Sequence, residues 1–226
     1  MCGRYATTVD PALLAVELDA IDESGPGQPD YNVAPTTPVL TVVRVPAVAE
    51  RTLIRRMRWG FVAPWAEEFA AGPPLFNARA ESVATKPTFR DSIQSRRCLV
   101  PMDGWYEWQD KVPLYMAPRD GSTLFMAGVW SLWGGQRPSV AMLTTDSVGP
   151  LRQVHDRMPL ILARADWARW LDPAAGLEPA LLAQPSAEIA ESVGIRRVSR
   201  QVNSVRNNGP HLLDPDQDEP EQLTLL

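Results

Sequence analysis

Residues 98–144, CLVPMDGWYEWQDKVPLYMAPRDGSTLFMAGVWSLWGGQRPSVAMLT, carry the clearest fold signal of the chain. Four runs within this stretch are rich in β-branched, aromatic and other apolar residues, at 98–102, 114–117, 124–132 and 140–144. Turn residues such as Gly, Pro and Asp separate the runs, which is typical of strands joined by tight connections. The stretch therefore predicts a mainly antiparallel sheet.

Further signals extend this pattern in both directions. Additional strands are predicted at 39–45, 52–59 and 195–205. Asp10 followed by Pro11 predicts a capped helix that continues over 13–20, and other short helices are predicted at 87–97, 166–171, 180–183 and 187–192. The expected fold class is α+β, a single compact domain with a mainly antiparallel, open barrel-like core and flanking short helices. The domain is expected to span residues 1–213, and 214–226 to form a disordered acidic tail.

Composition excludes several classes of protein. The longest uncharged stretch, 121–136, is shorter than the ~20 residues of a membrane helix, and no secretory signal is evident. Two cysteines and two histidines favour neither a disulfide framework nor a zinc site. We expect a cytoplasmic monomer with no membrane, metal or cofactor.

The formal net charge of −5 argues against nucleic-acid binding only if it is spread evenly. Residues 1–50 carry −5 and 201–226 carry −4, whereas 51–100 carry +5. Of the 22 cationic residues, 20 are arginine, the residue that best pairs with phosphate in a bidentate manner.

Cys2 is the most informative candidate for chemistry. Removal of Met1 would leave a cysteine with a free α-amine and a thiol, two nucleophiles with ordinary pKa values of ~7.7–8.0 and ~8.5. An amine and a thiol on adjacent carbons condense with an aldehyde to a five-membered thiazolidine ring, and the same group can act as a nucleophile in amide chemistry. A cysteine at position 2, taken by itself, does not distinguish these two reactions from a chance occurrence of cysteine there.

Three other segments offer partners. In NARAE (77–81), extended backbone would place Asn77, Arg79 and Glu81 on one side. In DGWYEW (103–108), aromatic neighbours would raise the pKa of Glu107, unless it is a surface residue of a hairpin. In HDRMP (155–159), His155 is followed by an acid and by Arg157.

The motifs occur in an order that resembles the SOS response-associated peptidase family, whose members process abasic sites. The motifs are MCGRY at 1–5, YNVAP at 31–35, WG at 59–60 with Pro64 and Trp65, NARAE at 77–81, RCLVP at 97–101, DGWYEW at 103–108, HDRMP at 155–159, and VS at 198–199 with VNSVR at 202–206. The resemblance extends from residue 2 to about residue 213.

This resemblance implies a protein that shields abasic sites in single-stranded DNA by forming a thiazolidine through Cys2. It implies catalytic roles for Asn77, Glu107 and His155. Phosphate contacts are expected from Arg4, Arg79 and Arg157, and base stacking from Trp65. Internal ion pairs are the alternative for Arg79 and Arg157, and a core or edge position is the alternative for Trp65. The name of the family further implies self-processing that exposes Cys2, and DNA strand cleavage is a possible associated lyase activity.

The C-terminus carries a second motif. Its last five residues resemble the short peptides by which bacterial repair proteins bind the replicative sliding clamp, with anchors at Gln222, Leu223, Leu225 and Leu226. A chance apolar end is the alternative. Two other functions stay open at this point: a general cysteine peptidase that uses Cys2, His155 and Glu107, and a noncatalytic DNA or clamp adaptor.

Overall fold

A computed structural model of the chain describes residues 2–45 and 51–216. The strands are β1 Tyr5–Thr7, β2 Ala20–Asp22, β3 Asp30–Val33, β4 Pro38–Arg44, β5 Thr52–Trp59, β6 Asn77–Arg79, β7 Arg97–Met102, β8 Gly104–Gln109, β9 Val112–Pro118, β10 Leu124–Trp133, β11 Arg137–Asp146, β12 Arg157–Pro159 and β13 Val193–Arg197. The α-helices are α1 Pro11–Glu17, α2 Ala80–Val83, α3 Arg90–Ser95, α4 Trp167–Leu171 and α5 Ala187–Ser192. No helix in these ranges is long and apolar enough to cross a membrane.

Five strands close into a barrel. They follow the order β11, β10, β7, β4 and β5 through antiparallel pairs. Parallel pairing of β5 with β11, at Arg58↔Ser139 and Trp59↔Val140, completes the circuit. Closure satisfies the backbone groups that an open sheet would leave at its edges. The α+β prediction with a barrel-like antiparallel core is confirmed.

A second sheet of five strands, in the order β13-β9-β8-β1-β3, lies beside the barrel. Successive side chains of a strand point to opposite faces of the sheet, so alternate residues of each barrel strand pack into two different hydrophobic cores. Leu53, Met57 and Val100 share one core with Trp105 and Met116 of the second sheet. Residues of the opposite parity pack against the short helices. The first of these cores places β1 and β8, which carry the site described below.

The hairpin of β8 and β9 depends on two local features. A side chain at Gly104 would overlap the carbonyl oxygen of Met116 and the ring of Tyr115, so only glycine fits there. The turn places Asp110 and Lys111 at φ 51° and 66°, the left-handed pair that a two-residue hairpin turn needs. Together these features set the register at Glu107↔Leu114.

Most predicted elements are present, with four differences. The helix predicted to continue over 13–20 ends at Glu17, because Asp19 has φ 48° and Ala20 begins β2. The predicted helix at 87–97 is shorter and spans Arg90–Ser95, and the one at 180–183 is a 3-10 turn, Pro179–Leu182. The predicted strand at 195–205 is wrong beyond Arg197, because the Ser199 side chain accepts from the backbone N–H of Gln201 and starts a 3-10 turn.

The predicted tail begins with residues that still contact the domain. Pro215 forms a β-bridge with Val198, and the N–H of Asp216 donates to the carbonyl of Arg197 at 3.3 Å. Residues 217–226, with the predicted clamp motif, lie outside the described residues.

Arg97, the first residue of β7, holds the helices to the barrel. Its buried guanidinium donates five hydrogen bonds of 2.5–3.0 Å to backbone carbonyls, those of Trp170, Ile93, Gln94, Asp172 and Ala175. One planar side chain therefore satisfies the ends of α3 and α4 together.

We expect Arg97→Lys to lower the free energy of unfolding by about 3 kcal/mol, since an ammonium cannot reach all five carbonyls and leaves buried acceptors unpaired. Denaturant titration measures this loss. The control is Arg96→Lys at the half-buried neighbouring position, expected to change stability by about 0.5 kcal/mol or less. Equal stability losses in the two variants would contradict the assignment.

Candidate functional site

The site is built around Cys2, which directly precedes the first strand. β1 pairs with both β3 and β8, at Tyr5↔Val33 and Tyr5↔Trp105. The N–H of Tyr106 also donates to the carbonyl of Arg4 at 2.9 Å. These bonds hold Cys2 where its side chain is fully buried.

Asn77 contacts Cys2 directly. Its Nδ2 donates to the carbonyl oxygen of Cys2 at 2.8 Å. β6 carries Asn77 in parallel register with β11, and the indole of Trp59 donates to the carbonyl of Phe76 at 2.8 Å. Within the described ranges the buried Oδ1 of Asn77 has no hydrogen-bond partner. It is an acceptor available to an amine or a sugar hydroxyl.

Glu107 gives the site its buried carboxyl. It lies on β8 and is 5% exposed. Burial raises the pKa of Glu107 above its ordinary value. Burial, and then the negative charge of Glu107, raise the pKa of the Cys2 thiol, while the backbone N–H of Arg4 offsets only part of this. The thiol is therefore protonated near neutral pH, and Glu107 keeps its proton to a higher pH than an exposed glutamate does.

His155 completes the group. It lines a small pocket together with Glu107, Ser147 and Arg157. Its Nδ1 accepts from the backbone N–H of Arg157 at 2.9 Å, which leaves the proton of the neutral ring on Nε2. Nδ1 also lies 2.8 Å from Asp156 Oδ1, a contact that is attractive only when Nδ1 is protonated. The histidine is thus oriented through one nitrogen.

Two of the predicted phosphate ligands have internal partners. Arg157 binds both carboxylate oxygens of Glu81 at 2.9 Å and also pairs with Asp146. Arg4 donates to Asn32 Oδ1 at 2.6 Å and to the carbonyl of Val202 at 2.8 Å. For Arg157 the structure has the ion pair that was the alternative to a phosphate contact. Phosphate binding by these two arginines stays a prediction.

The other two predicted DNA contacts are open to solvent. Arg79 is exposed and forms no ion pair with a residue in the described ranges. Trp65 is 68% exposed on the loop between β5 and β6, so it is not a core residue. No group of three or more His, Cys, Asp or Glu side chains in the described part of the chain is arranged to hold a metal ion.

Sequence reasoning missed the role of Asn32. This buried side chain accepts from Arg4, and its Nδ2 donates to the carbonyls of Ser204 and Asn207 at 2.9 and 2.8 Å. It thereby fastens the segment after β13 to the N-terminal residues that carry Cys2. The motif YNVAP at 31–35 was the available signal, although it gave no partner for the amide.

Comparisons with known proteins match most of the chain. A family model described as SOS response associated peptidase matches residues 1–205. Two relatives are the abasic site processing protein YoaM of Bacillus subtilis, 30% identical over 96% of this chain and 99% of its own length, and YedK of Escherichia coli, 31% identical over 95% and 100%. A crystal structure from Bacteroides thetaiotaomicron, 20% identical, has a TM-score of 0.80 and covers 95% of this chain and all of its own, which supports the fold.

We expect Glu107→Gln to change how stability depends on pH. Because the pKa of Glu107 is raised in the folded protein, the folded state keeps a proton that the unfolded chain releases near its ordinary value of 4.5. The free energy of unfolding therefore falls as pH rises from the ordinary pKa to the raised pKa of Glu107. Above the raised pKa the whole loss persists. The variant should lack this loss and be more stable at neutral pH.

Glu81→Gln is the matched control with the opposite sign. Although burial alone would raise it, hydrogen bonds from Arg157 hold the pKa of Glu81 below its ordinary value. Ionised Glu81 therefore stabilises the fold at pH values above its ordinary pKa, and this stabilisation is lost as pH falls. The Glu81→Gln variant should be less stable than wild type at neutral pH. Denaturant titrations over a pH series measure both effects. Parallel curves for wild type and Glu107→Gln would contradict the burial argument.

Proposed function

The chain belongs to the SOS response associated peptidase family, and we propose that it processes abasic sites in single-stranded DNA by covalent capture through Cys2. Relatives that match over nearly their whole length carry the name abasic site processing protein, which supports DNA repair at such lesions. The finer proposal rests on the hydrogen bond from Asn77 to the Cys2 carbonyl, on the charge of Glu107 acting on the Cys2 thiol, and on the pocket that Glu107 shares with His155.

The amine of Cys2 reacts first. With Met1 removed, the α-amine attacks the aldehyde carbon of the ring-opened abasic sugar and gives a carbinolamine. The amine precedes the thiol because burial raises the pKa of the thiol, which therefore stays protonated. The Asn77 amide, already bonded to the Cys2 carbonyl, holds the amine in position and offers its Oδ1 to an N–H or a sugar hydroxyl.

Glu107 moves the protons of the next two steps. As a buried acid of raised pKa it gives a proton to the carbinolamine hydroxyl, which leaves as water and forms the Schiff base. The resulting carboxylate then takes the thiol proton as the sulfur adds to the same carbon and closes the ring. The balance is aldehyde plus aminothiol giving thiazolidine plus one water.

His155 acts on the sugar. In the neutral ring Nε2 carries the proton, because Nδ1 accepts from the Arg157 N–H, and when Nδ1 is protonated beside Asp156 the ring can give up the proton on Nε2. From the pocket shared with Glu107, it exchanges protons with the sugar hydroxyls during ring opening and during reversal. Trp65 stacks on a neighbouring base, and Arg79 with Arg4 and Arg157 binds flanking phosphates.

We interpret the peptidase in the name of the family as release of Met1, which exposes the aminothiol. A buried Cys2 thiol of raised pKa is poorly suited to attack added peptides. Strand cleavage by β-elimination through a Schiff base is a further expected activity. The protein is expected to act as a monomer on damaged or replicating DNA in the cytoplasm.

Capture is tested with an oligonucleotide that carries one abasic site. Wild type should give a complex that survives denaturation, with a mass equal to the two components minus one water and no Met1. Cys2→Ala should give none without a reductant, because an amine alone forms only a reversible Schiff base. Cys98→Ala, the control at the other buried cysteine, should behave as wild type. A stable complex with Cys2→Ala and no reductant would overturn the mechanism.

We also propose that the C-terminal residues bind the sliding clamp. The motif at Gln222, Leu223, Leu225 and Leu226 has the directional hydrogen-bonding group and apolar anchors that a preformed groove accepts. Truncation after Glu221 should abolish clamp binding in a pull-down and leave abasic-site capture intact. Clamp binding unchanged by truncation, or absent from the full chain, would refute this proposal.

A further inference from the structure

Two arginines lie against one phenylalanine ring beside the loop that carries Trp65. The guanidinium carbon of Arg58, on β5, is 5.8 Å from the centre of the Phe69 ring, and that of Arg137, which begins β11, is 3.7 Å from it. Phe69 packs on Trp133 with a centroid distance of 5.7 Å. We call Arg58, Phe69 and Arg137 the twin-arginine cluster.

The twin-arginine cluster concentrates positive charge without a neutralising acid. Within residues 2–45 and 51–216, no aspartate or glutamate forms an ion pair with either arginine, although Glu68 lines the same pocket as Arg58. Burial and then the charge of Arg137 lower the pKa of Arg58. Two like charges held on one ring repel each other, and an anion between them would remove that cost.

The orientation of the two guanidiniums leaves donors available. Arg58 uses Nη1 to donate to the carbonyl of Gly60 at 2.9 Å, which fixes the side chain in place. Arg137 is exposed, and its guanidinium carbon lies over the Phe69 ring at 3.7 Å from the ring centre, a distance that fits a guanidinium contacting the ring with its face. A guanidinium held by its face still presents its N–H edge, the edge that binds phosphate in a bidentate manner.

The twin-arginine cluster lies close to the capture site along the same strand. On β11, Ser139 pairs with Arg58 and Met142 pairs with Asn77. Three residues of a strand span ~10 Å. The pocket lined by Arg58 also includes Trp65 and Leu75, and Leu75 is two residues from Asn77. The odd offset of three residues puts the side chains of Arg58 and Asn77 on opposite faces of the sheet, so a strand of DNA held at Cys2 would reach the cluster around the edge lined by the Trp65 loop.

We propose that Arg58 and Arg137 bind a backbone phosphate of the single strand, a few nucleotides to one side of the abasic sugar. The ~10 Å along β11 is the lower limit of the separation, which corresponds to at least about three nucleotides at the 3.4 Å stacked spacing. The inference rests on the proposed function, and it adds an anchor separate from the capture chemistry. Trp65, in the same pocket, lies where it can stack on the base next to that phosphate.

The first experiment measures binding of a lesion-free single-stranded oligonucleotide by fluorescence anisotropy, so no covalent step is involved. Arg137→Gln should raise the dissociation constant about tenfold, the effect of losing one charge-assisted contact. It should also reduce the slope of log affinity against log salt by about 0.7. Arg119→Gln removes the same charge from an exposed position at the end of β9 and should change neither quantity.

The second experiment places the abasic site at either end of the oligonucleotide. Arg137→Gln should slow capture at low DNA concentration for one of the two polarities only, and the rate at saturating DNA should equal that of wild type. Thermal unfolding of the variant verifies that it is folded. Equal behaviour of Arg137→Gln and Arg119→Gln in binding would overturn the phosphate site. Failure of wild type to capture either oligonucleotide would overturn the proposed function, while the anisotropy result would still decide the phosphate site.

Discussion

The candidate site depends on the hydrogen bond from Asn77 Nδ2 to the carbonyl of Cys2. The side chain of Cys2 is fully buried there. The first residues of a chain are ordinarily poorly ordered unless other contacts hold them in place. Here β1 is fixed on one side by β3 and on the other by β8, and Asn32 ties the segment after β13 to Arg4. Burial also raises the pKa of the thiol. The proposed capture therefore requires both an amine that reacts first and a carboxyl, Glu107, that relays protons within the same buried space.

The arginines divide into those with internal partners and those without. Arg97 satisfies five buried carbonyls, and Arg157 pairs with Glu81 and Asp146, so much of their charge serves the fold. Arg79 is exposed, and the twin-arginine cluster has no carboxylate partner in the described part of the chain. The net charge of −5 is thus a poor guide to DNA binding. In the proposed mechanism, affinity for DNA comes from a few arginines at defined positions and one covalent bond rather than from the electrostatic field of the whole protein.

The sequence predicted the long strands and the α+β class because the relevant patterns are local. Strands of three or four residues, such as β1, β3 and β6, are too short to show a period of two. Parallel pairing of β5 with β11 joins residues far apart in the chain and has no local signal. The strand predicted at 195–205 is wrong beyond Arg197, where the Ser199 hydroxyl accepts from the backbone N–H of Gln201 and starts a 3-10 turn instead. Motif order identified Cys2, Asn77, Glu107 and His155 together, whereas their distances, and the contact between Arg4 and Asn32, needed the fold.

In the proposed capture reaction, one carbon of the abasic sugar becomes bonded to both the nitrogen and the sulfur of Cys2. Nuclear magnetic resonance of the complex, formed with an oligonucleotide isotopically labelled at the aldehyde carbon, observes that carbon directly. We predict a tetrahedral carbon coupled to the Cys2 nitrogen and adjacent to its sulfur. A planar carbon doubly bonded to nitrogen, or an unchanged aldehyde, in the fully formed complex would contradict it.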